Sequence, residues 1–126
     1  MSRIIIAVLS LVLSVALAFI SVTYIKSTCN TMIIEVDNIL DNVYAQNTEE
    51  VNRLAVLANT HWESKKFLMN IFIGQREALD ITAELEKIRQ FAKHGDLTSV
   101  TLCSEECKSK LSNIIQSNEP SLSTVL

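Results

Sequence analysis

Glycine and proline are nearly missing from this chain: its 126 residues hold two glycines and one proline. A β-sandwich or barrel needs many tight turns, and such turns draw heavily on both residue types, so neither architecture fits. Basic residues are short as well, 11 Lys and Arg against 14 Asp and Glu. Arg3 and Lys26 flank an uncharged run; setting those two aside turns the overall −3 into −5 for residues 27–126. An acidic domain without a basic stripe suits neither nucleic acid nor the anionic face of a membrane. The chain contains no G-x-S-x-G, no H-E-x-x-H and no glycine-rich phosphate cradle. His61 and His94 stand outside any ligand or nucleophile spacing. Glu49-Glu50, Glu84/Glu86 and Glu105-Glu106 read as solvated faces or helix starts, because paired catalytic carboxylates need a pocket. The chain is therefore expected not to be an enzyme and to carry no cofactor, and no small-molecule ligand is expected.

What the sequence does have is a long apolar run, Ile4 to Ile25, with 22 residues and no charge. As a helix it is about 33 Å long, enough to cross the hydrocarbon core of a lipid bilayer. Residues 1–26 are thus expected to be an N-terminal transmembrane anchor and residues 27–126 a separate domain. A rival reading is a signal peptide cut after Ala16-Leu17-Ala18, which would release a secreted protein. The run stays apolar through Phe19 to Ile25, with no Gly or Pro before the site, and this favours an uncleaved anchor. The short N-terminal tail with Arg3 places the N-terminus in the cytoplasm and the domain outside. Within the run, Ser10, Ser14 and Ala18 share one helix face at a spacing that lets two spanning helices approach closely. The plainer alternative is that these are ordinary membrane-helix residues with hydroxyls bonded to their own backbone.

Beyond Lys26 the apolar residues step by three and four. Cys29, Met32, Val36, Ile39, Leu40 and Val43 mark a seam with no breaker between it and the run, so one helix from about residue 4 to 46 is expected. Asn47-Thr48-Glu49-Glu50 reads as a capping box that starts a second helix, with Val51, Leu54, Ala58, Trp62, Leu68 and Phe72 inward and Lys65 and Lys66 reaching to solvent. Gly74 ends it. A third helix, 75–93, turns Ala78, Ile81, Leu85, Ile88 and Ala92 inward and closes at His94-Gly95-Asp96. A fourth, 97–116, turns Val100, Cys103, Cys107, Leu111 and Ile114 inward. Pro120 breaks it, and Ser121 to Leu126 form a tail. The fold class is all-α: a transmembrane helix followed by an antiparallel up-down bundle of about four helices. Tyr44–Glu49 and Phe91–Asp96 echo one another at an offset of 47, as two related αα-hairpins or as one turn chemistry used twice.

Cys103 and Cys107 are the sharpest chemical candidates. At i, i+4 their thiols share a helix face and can offer two metal ligands or a redox pair, although parallel helical side chains fit disulfide geometry poorly. Both also lie on the apolar seam, where cysteine behaves as a small hydrophobe, and packing is the favoured reading. Cys29, just above the run, can meet a two-fold partner as an intermolecular disulfide or sit free on the seam. Trp62 is read as a core anchor, with an anchor for partner binding as the alternative.

Taken in order, these features resemble a family of small membrane proteins of Gram-positive spore-forming bacteria, classed as a domain of unknown function, number four-three-six-three. The residues that carry the likeness are Ser2-Arg3-Ile4-Ile5-Ile6-Ala7, Trp62-Glu63-Ser64-Lys65-Lys66, Ile71-Phe72-Ile73, the stretch from Leu79 to Asp96, and Ser121-Leu122-Ser123-Thr124-Val125-Leu126, where the family has Ile for Val125. The resemblance implies a membrane-anchored helical domain. It also implies packing at Cys103 and Cys107, where the family usually has ordinary apolar residues. It brings no activity. The expected protein is a single-pass, non-enzymatic component of the cell envelope that binds a membrane or envelope protein or itself. A metal- or redox-sensing module built on Cys103 and Cys107 is the alternative.

Overall fold

The computed structural model describes residues 2–118, and among them every regular element is a helix. Helix α1 spans Ser2–Tyr44, α2 Thr48–Ile73, α3 Gln75–Lys93 and α4 Leu97–Asn118. Each packs on its neighbour in sequence, and α4 closes the ring against α1. Three connections of one to three residues force the helices to alternate in direction. Pro120 and the tail Ser121–Leu126 lie outside the described residues.

Helix α1 runs without interruption through Lys26, as the absence of a breaker predicts. Its first part stands alone: from Ser2 to Ile20 every side chain is exposed. Coverage begins at Ser21, and the seam Ile25, Cys29, Met32, Val36, Ile39 is fully buried against the other helices. This one helix is long and apolar enough to cross a membrane or to serve as a signal sequence.

The two seams of the central helices meet around Trp62, which is 1% exposed. Its indole Nε1 donates to Thr82 Oγ1 at 2.8 Å, and Thr82 in turn donates to the Ala78 carbonyl at 2.8 Å, so the buried indole is satisfied. On α2 the expected inward Leu68 is 42% exposed, and Met69 takes the core position. Seven residues carry a helix close to two full turns, so Met69 returns to the Trp62 face while Leu68 lies about 120° away from it. On α4, Ser104 is fully buried and Cys103 is half-buried at the edge of the seam, reversing the expected order.

Both far-end turns use one hydrogen-bond pattern. After α1 the Asn47 N–H reaches the Asn42 carbonyl and the Gln46 N–H the Val43 carbonyl; after α3 the Asp96 N–H reaches Phe91 and the Gly95 N–H reaches Ala92. These are Schellman turns, which need a left-handed residue, here Gln46 at φ 56° and Gly95 at φ 73°. Asn47 then accepts from the Glu50 N–H at 3.3 Å and Asp96 from the Ser99 N–H at 3.1 Å. The Glu50 carboxylate does not reach back to complete a capping box; it pairs with Arg53. Gly74 alone joins α2 to α3, at φ 98° and ψ 155°, a region open essentially to glycine.

The echo between the halves is therefore structural, but its offset is 49 (47 to 96), not 47. At that spacing Cys29, Met32, Val36 and Ile39 of α1 match Ala78, Ile81, Leu85 and Ile88 of α3, and Val51, Ala58 and Trp62 of α2 match Val100, Cys107 and Leu111 of α4. All fourteen are buried. Two αα-hairpins with the same inward register pack face to face.

Gln46→Gly removes a left-handed strain that glycine does not feel and should raise stability by about 1 kcal/mol, whereas Gly95→Ala should cost about 1 kcal/mol. Equilibrium urea unfolding of each variant measures both shifts, and equal midpoints for all three proteins contradict the assignment.

Candidate functional site

Cys29 and Cys107 lie in the bundle interior, and Cys103 sits at its edge. Cys107 on α4 is fully buried and feels Glu84, Lys110, Cys103 and Cys29; Cys29 on α1 is equally buried, and all three thiols are free. Burial pushes both the Cys29 and the Cys107 thiol up to about 12, and it also raises Cys103. A thiolate is the form that attacks disulfides or binds metal, so these groups are held in their inert state. Among the described residues, no three His, Cys, Asp or Glu side chains come together in a way that could hold a metal ion. With Cys29 sealed in the core, a disulfide to a partner chain is closed to it while the bundle is folded. Trp62, the other expected anchor, is likewise inside and cannot present a surface to a partner.

The polar groups occupy two places. Glu84, nearly buried on α3, accepts from Lys110 Nζ at 3.1 Å and lies 3.5 Å from Lys87 Nζ. One inward carboxylate is thus held by a cation from its own helix and one from α4, which ties those helices together. The second is a cleft of about 280 Å³ between α1 and α2, lined by Ser27, Thr28, Thr31, Met32, His61, Ser64 and Lys65. At its edge the His61 imidazole pairs with Glu35 through Nδ1, and the second Glu35 oxygen is buried without a partner among the described residues.

The cleft has the residue types of a hydrolytic site but not their geometry. Ser64 Oγ donates to the His61 carbonyl at 2.6 Å, not to its ring, and Thr31 Oγ1 donates to the Ser27 carbonyl at 2.9 Å. Those two hydroxyls are spent on the backbone rather than aimed at the imidazole. Sequence reading missed the Glu35–His61 pair because the two residues lie on different helices. Only the antiparallel register of α1 and α2 brings them together.

Ser10, Ser14 and Ala18 are all exposed on the free part of α1. Ser14 Oγ donates to the Ser10 carbonyl at 2.9 Å and Ser21 Oγ to the Ala18 carbonyl at 2.9 Å. The face is built of small side chains, and the Ser14 hydroxyl is bonded to its own helix backbone.

The fold defines a class: a four-helix up-and-down bundle whose first helix continues into a long, uncovered apolar segment. The chain belongs to the family described as Domain of unknown function (DUF4363), which it matches over residues 19–125. The matched stretch begins within two residues of the point where the bundle starts to cover α1. No curated protein and no solved structure matches the chain.

Cys103 should react with a maleimide in the folded protein well ahead of Cys29 and Cys107, which should react only on unfolding; mass spectrometry of the labelled peptides checks this. Because burial raises both inner thiols, the stability they add is complete below about pH 9 and is lost as pH rises toward 12. The alkaline fall in unfolding midpoint should be shallower in a Cys29→Ala, Cys107→Ala variant. Ser104 Oγ is buried with no hydrogen-bond partner among the described residues, so Ser104→Ala should stabilise by about 1 kcal/mol, read by the same unfolding curves.

Proposed function

We propose that this chain is a single-pass membrane protein without enzymatic activity, whose helical bundle stands outside the cytoplasm and binds an envelope or membrane protein, or its own copies, as a structural component of the cell envelope. The observation that carries this reading is the unbroken α1. Its uncovered stretch, Ser2 to Ile20, is wholly exposed, with 15 side chains that have no polar group and no covering helix. Water would bear the full cost of that surface, whereas lipid removes it. The helix then enters the core rigidly, so whatever force reaches the bundle is passed to the anchor. A binding rather than catalytic role is supported by the interior, where Trp62, Met32, Met69 and Leu111 fill the space between helices, and by hydroxyls already bonded to the backbone.

One observation favours release as a second reading. Coverage of α1 begins at Ser21, so a cut after Ala18 would leave the bundle whole. The two readings differ in what the mature protein starts with and where it is found. The anchored protein should keep residues 2–18, pellet with membranes through alkaline carbonate washing, and have Lys93 modified by an impermeant amine reagent in intact cells. A protein found in the medium and starting at Phe19 selects release, and Lys93 protected in intact cells reverses the orientation. For the binding role, a photocrosslinker placed at Leu102, exposed on α4, should capture a membrane or envelope protein or a second copy; capture of neither contradicts it.

A further inference from the structure

We propose that the α2–α3 turn and the last turns of α2 are seated in the headgroup layer of the bilayer that α1 crosses, giving the bundle a second, apolar foothold on lipid. The proposal rests on the reading of α1 as a membrane anchor. The register of α1 and α2 sets the height. Glu35 pairs with His61, and the Tyr24 and Phe72 rings meet edge-on with centroids 5.6 Å apart. Residue numbers on α2 therefore rise as those on α1 fall, and Phe72, Ile73 and Gly74 lie level with Tyr24 and the residues just before it. A hydrocarbon layer about 30 Å thick that begins at Ile4 ends about 20 residues along α1, at the level of that turn.

The end of α2 has the composition for this place. Phe67-Leu68-Met69-Asn70-Ile71-Phe72-Ile73 is apolar at every position but Asn70, on all sides of the helix. Only Met69 is in the core, while Phe67 is 75% exposed and Ile71 61%. A helix that is apolar all round belongs inside a protein or against lipid. Leu79 of α3, also exposed, shares a groove with Phe67 and widens the patch onto the next helix. From Ile71 to Phe67 the patch rises about 6 Å, within the depth to which interfacial helices bury their apolar faces. Tyr24, with Lys65 Nζ 5.9 Å from its ring centroid, gives an aromatic and a basic group at the same level, the pair that membrane interfaces favour.

Charge points the same way. At this end Lys65, Lys66 and Arg76 offset Glu63, Glu77 and Asp80, while Asp41, Glu49, Glu50, Asp96, Glu105 and Glu106 crowd toward the other end. The acidic end is turned from the membrane and the near-neutral end toward it. The occupant is lipid rather than a second copy, because the anchor itself holds the patch at the membrane surface. The attraction is apolar, so it does not need anionic lipid.

The test uses the full chain in phosphatidylcholine vesicles doped with a lipid that carries a diazirine near the carbonyl end of its acyl chain. Photolysis should place adducts on peptides containing Phe67, Ile71 and Leu79 as well as on residues 4–25. Phe67→Ser with Ile71→Ser should remove the first set and keep the second, with an unchanged circular dichroism spectrum. If that variant misfolds, the adduct map of the unaltered chain decides alone. Adducts confined to residues 4–25 overturn the foothold and leave the anchor standing. Adducts on neither segment overturn both. Patch residues spared by lipid, together with Ile71→Cys crosslinks between copies, replace lipid with a second copy as the occupant. Adding anionic lipid should change the yield at the patch by less than about twofold; a steep rise contradicts an apolar seat.

Discussion

Every part of this structure depends on one helix serving two surroundings. The stripe Ile25, Cys29, Met32, Val36, Ile39 forms α1's share of the bundle core, and the same backbone continues downward as a bare apolar rod. A helix can do this only without a breaker between the two regimes, and none occurs from Ile4 to Tyr44. Since α2 and α4 pack on α1, its direction fixes theirs, and α3 follows from the short turns. The axis of the bare apolar segment thereby becomes the axis of the bundle.

The two hairpins solve the same packing problem with different residues. Trp62 in one holds the place of Leu111 in the other, and Met32 that of Ile81, so equivalent core positions are filled by side chains of different size. A shared inward register lets the hairpins close on each other with little space left between them. The far-end turns repeat too, but unequally: glycine enters the left-handed region freely at Gly95, and Gln46 enters it against steric resistance. The need for a turn there overrides the local preference of the residue.

Little polar chemistry enters the core. The buried carboxylate of Glu84 is held between Lys87 and Lys110, and the inner thiols are kept protonated by their surroundings. In the cleft beside Glu35 and His61 the hydroxyls of Ser64 and Thr31 are bonded to backbone carbonyls of their own helices.

The sequence by itself determined what is local. Helix periodicity, capping residues such as Asn47 and Asp96, and the glycines after α2 and α3 made the four helices, their order and most of their inward faces readable, because each depends on residues within a few positions of one another. The α3 stripe Ala78, Ile81, Leu85, Ile88, Ala92 was legible in full. On α2 two adjacent apolar residues, Leu68 and Met69, competed for one place, and on α4 the choice lay between Cys103 and Ser104. There the local pattern is degenerate. Packing against the neighbouring helix chose Met69 and Ser104. Tertiary structure alone decided the 49-residue register of the repeat, the meeting of Glu35 with His61, and the height of Phe67 and Ile71 beside Tyr24. Each of these is a relation between helices, set by how far one slides and turns along another, and no single segment carries that information.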